Sequence, residues 1–182
     1  QTPNPQTLKF LPGKVVMDEG TAFYQNIDEA GDSPFARRLF AIEGVSGVFF
    51  GSDFITITKS DAYEWQVMKP TVLGGIIDHF NSEDKTVEKE DEKEAKKSLQ
   101  TNEDDSDIVK QIKELLDTRV RPAVAMDGGD IIYDDFADGV VYLKMQGACS
   151  GCPSSTATLK MGIENMLKHY IPEVQEVRPV DA

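Results

Sequence analysis

Ile55 and Ile57 alternate with Phe54, Thr56 and Thr58, a period of two that predicts a strand with two unlike faces. An apolar run, Val48-Phe49-Phe50, precedes it across Gly51-Ser52-Asp53, so the two segments read as a hairpin. Upstream, Thr7 to Phe10 reads as a short strand ended by Leu11-Pro12-Gly13, and the polar opening Gln1 to Pro5 is expected to fray. Ser33-Pro34 supplies an N-cap followed by proline, opening a short helix through Leu39 and Phe40 that Gly44 punctuates. Trp65, Met68, Val72, Ile76 and Phe80 fall near helical spacing, with Pro70 implying a fresh start or a kink. The pattern describes a small α/β domain over 1–81.

The pattern then disappears. Glu83-Asp84-Lys85 and Glu88 to Lys97 are almost all charge, with Val87 and Leu99 as the large apolar residues. Such a segment buries too little to offset its ordering entropy. Residues 82–105 are therefore expected to be a charged tether spanning roughly 25–30 Å.

Periodicity returns at Ser106-Asp107, either of which can cap a helix carrying Ile108, Ile112, Leu115, Leu116 and Val120. Pro122 ends or bends that helix. A strand over Ile131 to Phe136 follows, then Asp138-Gly139 as a two-residue hairpin turn. The return strand places Val141, Leu143 and Met145 on one face. Leu159, Ile163, Met166, Leu167 and Tyr170 form a further helical stripe stopped by Pro172. Val174 to Val180 is a last strand, which Pro179 assigns to a sheet edge. The second domain, 106–182, is thus α-β-β-α-β. The whole chain is expected to be α/β (α+β), two small domains joined by a charged linker.

Composition narrows the partners. The 182 residues carry a formal net charge of −13, with 40% hydrophobic residues and a mean hydropathy of −0.36. An acidic surface repels phosphates and anionic lipid, and no apolar run is long enough to cross a bilayer. Neither nucleic acid nor membrane is an expected partner. Two cysteines are too few for a disulfide scaffold, which favours a reducing compartment. A start at Gln1 rather than Met fits either a removed targeting segment or a trimmed chain.

The strongest chemical signal is Gly147-Ala148-Cys149-Ser150-Gly151-Cys152-Pro153-Ser154-Ser155, which holds both cysteines between a strand pattern and a helix pattern. Cys-x-x-Cys fits three chemistries. A redox disulfide also sits at a helix N-terminus, but here the flanking residues and the late position differ from the thioredoxin type. Structural zinc needs four ligands, and neither His79 nor His169 stands at ligand spacing to the pair. Both histidines read as surface or packing residues. An iron–sulfur core typically takes four thiolates, so two chains would have to share one cluster. Small residues around the pair leave backbone N–H groups free to face sulfur, although an ordinary capped turn needs the same residues. Asp127-Gly128-Gly129-Asp130 reads as a helix-to-strand turn. There the glycines supply positive φ and the aspartates cap backbone N–H groups, with too few oxygens for a metal cage.

Met126-Asp127-Gly128-Gly129-Asp130, one hairpin, and then the cysteine motif resemble the Nfu family, whose members carry the C-terminal domain of the NifU iron–sulfur scaffold. This likeness runs from Asp107 to about Pro179. Phe10-Leu11-Pro12-Gly13, Ser33-Pro34 and Lys69-Pro70 resemble the family's N-terminal domain. The resemblance implies that Cys149 and Cys152 are ligands of a [4Fe–4S] cluster bridging a homodimer. It implies a non-enzymatic carrier in the mitochondrial matrix. Such a carrier receives clusters from upstream assembly proteins and passes them to apo enzymes such as lipoyl synthase. The competing reading of the same two cysteines is a thiol–disulfide oxidoreductase.

Overall fold

The computed structural model describes residues 1–82, 84–86, 105–151 and 153–180. The tether expected over 82–105 falls for the most part outside these residues. The described chain is mixed helix and strand, built on two sheets.

The first sheet has the order β1 (Thr7–Phe10), β4 (Ile55–Lys59), β3 (Val45–Phe50), β2 (Ala22–Tyr24), with every pair antiparallel. Strand β2 had no period to announce it, because three residues flanked by polar ones are too short to show alternation. Helix α1 (Pro34–Phe40) is capped as its sequence demands, with the Ser33 hydroxyl accepting from Ala36 N at 3.0 Å. Helix α2 (Trp65–Asn81) runs through Pro70 without a fresh start. Val48, Phe50, Ile55 and Ile57 face α1 and α2 and form one core with Phe35, Leu39, Val72 and Ile76. Gln1 to Pro5 does not fray as expected. Asn4 is 2% exposed, its carbonyl accepts from Thr7 N, and its side chain accepts from Gln6 N at 3.0 Å.

His79 on α2 is 2% exposed and stacks on Phe35 with ring centroids 3.7 Å apart. It is a packing residue. Burial, helped by the Arg38 charge, holds its pKa below the ordinary histidine value. Its contribution to stability is therefore fully present above the unfolded-state pKa of about 6.5 and is lost as pH falls through the lowered folded value. Urea midpoints of wild type should drop between pH 7.5 and pH 5 by more than those of His79→Phe. Equal drops would show that His79 does not titrate with folding.

The second sheet has the order β5 (Gly129–Ala137), β6 (Val140–Gly147), β7 (Glu176–Val180), with β5–β6 antiparallel and β6–β7 parallel. The hairpin turn needs positive φ at both central positions, and Asp138 (51°) and Gly139 (78°) supply it. Pro179 lies on the edge strand β7, as its missing N–H requires. The parallel step is made by α5 (Pro153–Tyr170) crossing the sheet. Ahead of β5, α3 (Asp107–Leu115), capped by Ser106, passes into a π-helical turn at Leu116–Val120 and then α4 (Arg121–Met126). Pro122 thus bends the helical path rather than ending it. Ile112, Leu116, Val124, Ile131, Leu143, Ile163 and Leu167 are among the residues of a second core.

Candidate metal centre

The two ends of the β5–β6 hairpin meet at glycines. Gly129 opens β5, Gly147 closes β6, and the two are paired in the register. Gly147 has φ of +63°, which turns the chain out of the strand. Ala148 N then donates to Gly128 O at 3.1 Å, and Cys149 N donates to Gln146 O at 3.3 Å. The Thr156 hydroxyl on α5 donates to Cys149 O at 3.1 Å, joining the turn to the first turns of the helix. Cys149 therefore stands at a strand-to-helix turn, the place its sequence context indicated. Cys152 lies outside the described residues.

The Gly-Gly pair does two different jobs. Gly128 carries positive φ (+86°), as expected of a helix-to-strand turn. Gly129 does not: it is glycine because of space. A Cβ there would stand 2.5 Å from Cys149 Sγ and 2.7 Å from Gln146 O. Gly129 is the floor on which the thiol sits.

Cys149 is 6% exposed and packs into the second core. It borders an apolar cavity of about 570 Å³ between α4 and α5, with Val124, Leu159 and Met166 in the walls and Pro3 at the edge. Burial first, and then the carboxylates of Asp127 and Asp130, push the thiol pKa up to about 12. A rise of that size removes about a thousandfold of the thiolate at neutral pH, while greater intrinsic nucleophilicity returns about twentyfold. Iodoacetamide should accordingly modify Cys149 of the apo chain about fiftyfold more slowly than free cysteine. Peptide mapping over time checks this, and modification at the free rate would mean that the thiol is not buried in solution.

Asp130 caps less than expected and pairs more. Its Oδ1 accepts from Ile131 N at 2.8 Å, but both oxygens are also gripped by Arg121, with Nε at 2.9 Å and Nη2 at 2.8 Å. The Thr21 hydroxyl donates to Oδ2 at 3.1 Å. Asp130 is 4% exposed, and a carboxylate so buried persists because it is fully hydrogen-bonded. The Arg121 guanidinium, held by Asp130, is raised above its usual range. The pair fastens the start of α4 to the start of β5, one residue beyond the Gly129 floor. Sequence reasoning missed Arg121, since nothing in helical periodicity marks which surface-type charge is paired indoors. His79 and His169 sit elsewhere, against Phe35 and Tyr170. Among the described residues no group of three His, Cys, Asp or Glu side chains is placed to hold a metal ion.

Two family models match the chain. The Nfu/NifU scaffold protein N-terminal model covers residues 1–83, and the NifU-like domain model covers residues 112–178. The human protein named NFU1 iron-sulfur cluster scaffold homolog, mitochondrial, is 51% identical over 98% of this chain and 69% of its own length. The chain belongs to the Nfu family of iron–sulfur cluster scaffold proteins. Among Nfu relatives, the Arabidopsis thaliana NifU-like protein 4, mitochondrial, is 52% identical over 97% of this chain and 62% of its own length. The Drosophila willistoni homologue of NFU1 is 51% identical over 98% of this chain and 61% of its own length. This Nfu chain thus spans somewhat under two thirds of those two relatives.

Proposed function

We propose that the chain is a carrier of iron–sulfur clusters, in which Cys149 and Cys152 of two chains together hold one [4Fe–4S] cluster as cargo. The observation that carries this reading is the placement of Cys149. It stands on a glycine floor at a strand-to-helix turn in a chain of the Nfu family. One chain supplies two thiols and a cubane takes four, so the cargo would join two chains. Separating them would then release it, which suits delivery to apo iron–sulfur proteins, lipoyl synthase among them, and involves no catalysis. The cargo would come from upstream assembly proteins. The relatives are named as mitochondrial, and the proposed site of action is the mitochondrial matrix. The same proposal takes 1–81 and 106–182 as separate folding units joined by 82–105.

A thiol–disulfide oxidoreductase is disfavoured. Its attacking cysteine needs a lowered pKa and access, and Cys149 has neither. A cluster, by contrast, supplies its own charge and displaces the thiol proton on binding.

The test is anaerobic loading with iron and sulfide, followed by metal analysis and sedimentation. The apo chain, whose charge of −13 opposes self-association, should sediment as a monomer. The loaded form should be a dimer with four irons per two chains. A loaded monomer carrying four irons, or no iron uptake together with turnover of a test disulfide, would overturn the reading.

A further inference from the structure

The first sheet has a second face, and that face is buried too. Phe49 and Thr56 point away from the α1–α2 core, yet each is 0% exposed. Phe54, beside Phe49 at 5.8 Å between ring centroids, is 3% exposed. They are covered by the second sheet, where β3 and β4 lie against β6. On that side Asp130, Ile132 and Gln146 are buried, although they alternate with the residues of the second core. A Cβ on Gly147 would come within 3.0 Å of the Phe49 ring.

The polar contacts between the two halves converge on the segments that frame Cys149. The Thr56 hydroxyl donates to Gly128 O at 2.6 Å. Lys9 Nζ donates to Ala125 O at 2.6 Å, at the carbonyl end of α4. The Asn4 side-chain amide donates to Ser150 O at 3.3 Å, inside the cysteine motif. Pro3 closes one edge of the cavity that Cys149 borders. The fit is incomplete, because Gln146 Oε1 is buried at this junction with no hydrogen-bond partner among the described residues. A junction rich in hydroxyl, amide and ammonium contacts, with one buried acceptor left over, resembles the interfaces that open and close.

We propose that the first domain is a releasable cover. With the outer face of its sheet and its N-terminal segment it holds the cysteine turn closed in the apo chain, and cargo enters once the cover has moved off. The cargo half of this inference rests on the function proposed above; the closure does not. A second chain approaching the turn has to displace Asn4 and Pro3 first, so the cover and the partner compete for one place.

The test compares full-length wild type with Phe49→Asp, which puts a charge between the sheets while leaving the α1–α2 core untouched. Lys9→Glu, at a partly exposed position, is the second variant should Phe49→Asp not fold. X-ray scattering of the apo proteins should show a compact wild type and a variant whose radius of gyration is larger by about a third, as two separated bodies of this size require. Anaerobic uptake of iron and sulfide should be on the order of tenfold or more faster in the variant, with the same final iron per chain, as an open population of a few per cent in wild type requires. A wild type as extended as the variants overturns the cover and leaves the cargo reading standing. A compact wild type whose opening leaves the uptake rate unchanged overturns the gate. No uptake by any of the proteins overturns the cargo reading and the gate together, and the scattering tells that failure from a missing cover.

Discussion

Alanine at either Cys149 or Cys152 is expected to abolish stable retention of a [4Fe–4S] cluster. Two chains carrying one such change each have two thiolates between them, half of what the cluster takes. The loss should be close to complete rather than graded, because a cubane with two open corners is exposed to solvent and chelators. Fold stability separates this effect from collapse. Cys149 belongs to the second core at 6% exposure, so its truncation has a structural cost on the order of 1 kcal/mol, at the low end for buried deletions. That cost is larger than a position on a turn leads one to expect from sequence, yet too small to unfold a domain of ordinary stability. Iron and sulfide per chain after anaerobic loading, beside a urea melt of each apo variant, make the measurement. A single variant that still holds four irons per dimer would sink the ligand assignment.

Gly147→Ala should be the most damaging small substitution in the second domain. The backbone there is left-handed, at φ of +63°, which costs a residue with a Cβ about 1–2 kcal/mol. The new carbon would also stand 2.7 Å from Gly128 O, 3.1 Å from Gly129 Cα and 3.0 Å from the Phe49 ring. Two of those three neighbours are backbone and cannot turn aside. Overpacking adds about 1–3 kcal/mol, so a total of about 3 kcal/mol is expected. Two neighbouring glycines provide the scale. Gly151 is equally left-handed (φ of +77°) but has nothing within 4 Å of its Cβ position, so Gly151→Ala should cost only about 1–2 kcal/mol. Gly162 lies inside α5 with open space around it, and Gly162→Ala should stabilise by somewhat under about 1 kcal/mol. Denaturant midpoints of the three variants should fall in that order. Gly147→Ala as mild as Gly151→Ala would show that the hairpin end and Phe49 are not packed together in solution.

Much of this was legible in the residues themselves. Period-two alternation in Phe54 to Thr58 marked β4 and named its two faces correctly. Asp138-Gly139 marked the β5–β6 turn, because few residue pairs accept positive φ twice. Ser33 and Ser106 marked two helix starts, each hydroxyl accepting from an N–H of the first helical turn. The cysteine spacing narrowed the chemistry to redox, zinc or cluster binding, and the strand-to-helix turn at which Cys149 stands was legible beside it.

Other features were decided by the tertiary structure alone. Hydrophobic period tells which residues avoid water but not what covers them. Val48-Phe49-Phe50 read as an apolar strand of a hairpin; only the fold shows that Phe49 is closed off by the hairpin that carries the cysteine. Thr56 stands on the face of β4 opposite Ile55 and Ile57, and it is dry because the second sheet covers it and Gly128, 72 residues later, accepts its hydroxyl. Asn4 looked free to fray until its neighbours and Ser150 took up its polar groups. Gly129 looked like a turn residue and proved to be the room left for a thiol. Local rules operate over a few residues and can be read from a string. Contacts between residues far apart in the chain depend on how whole sheets pack, and no local pattern records them.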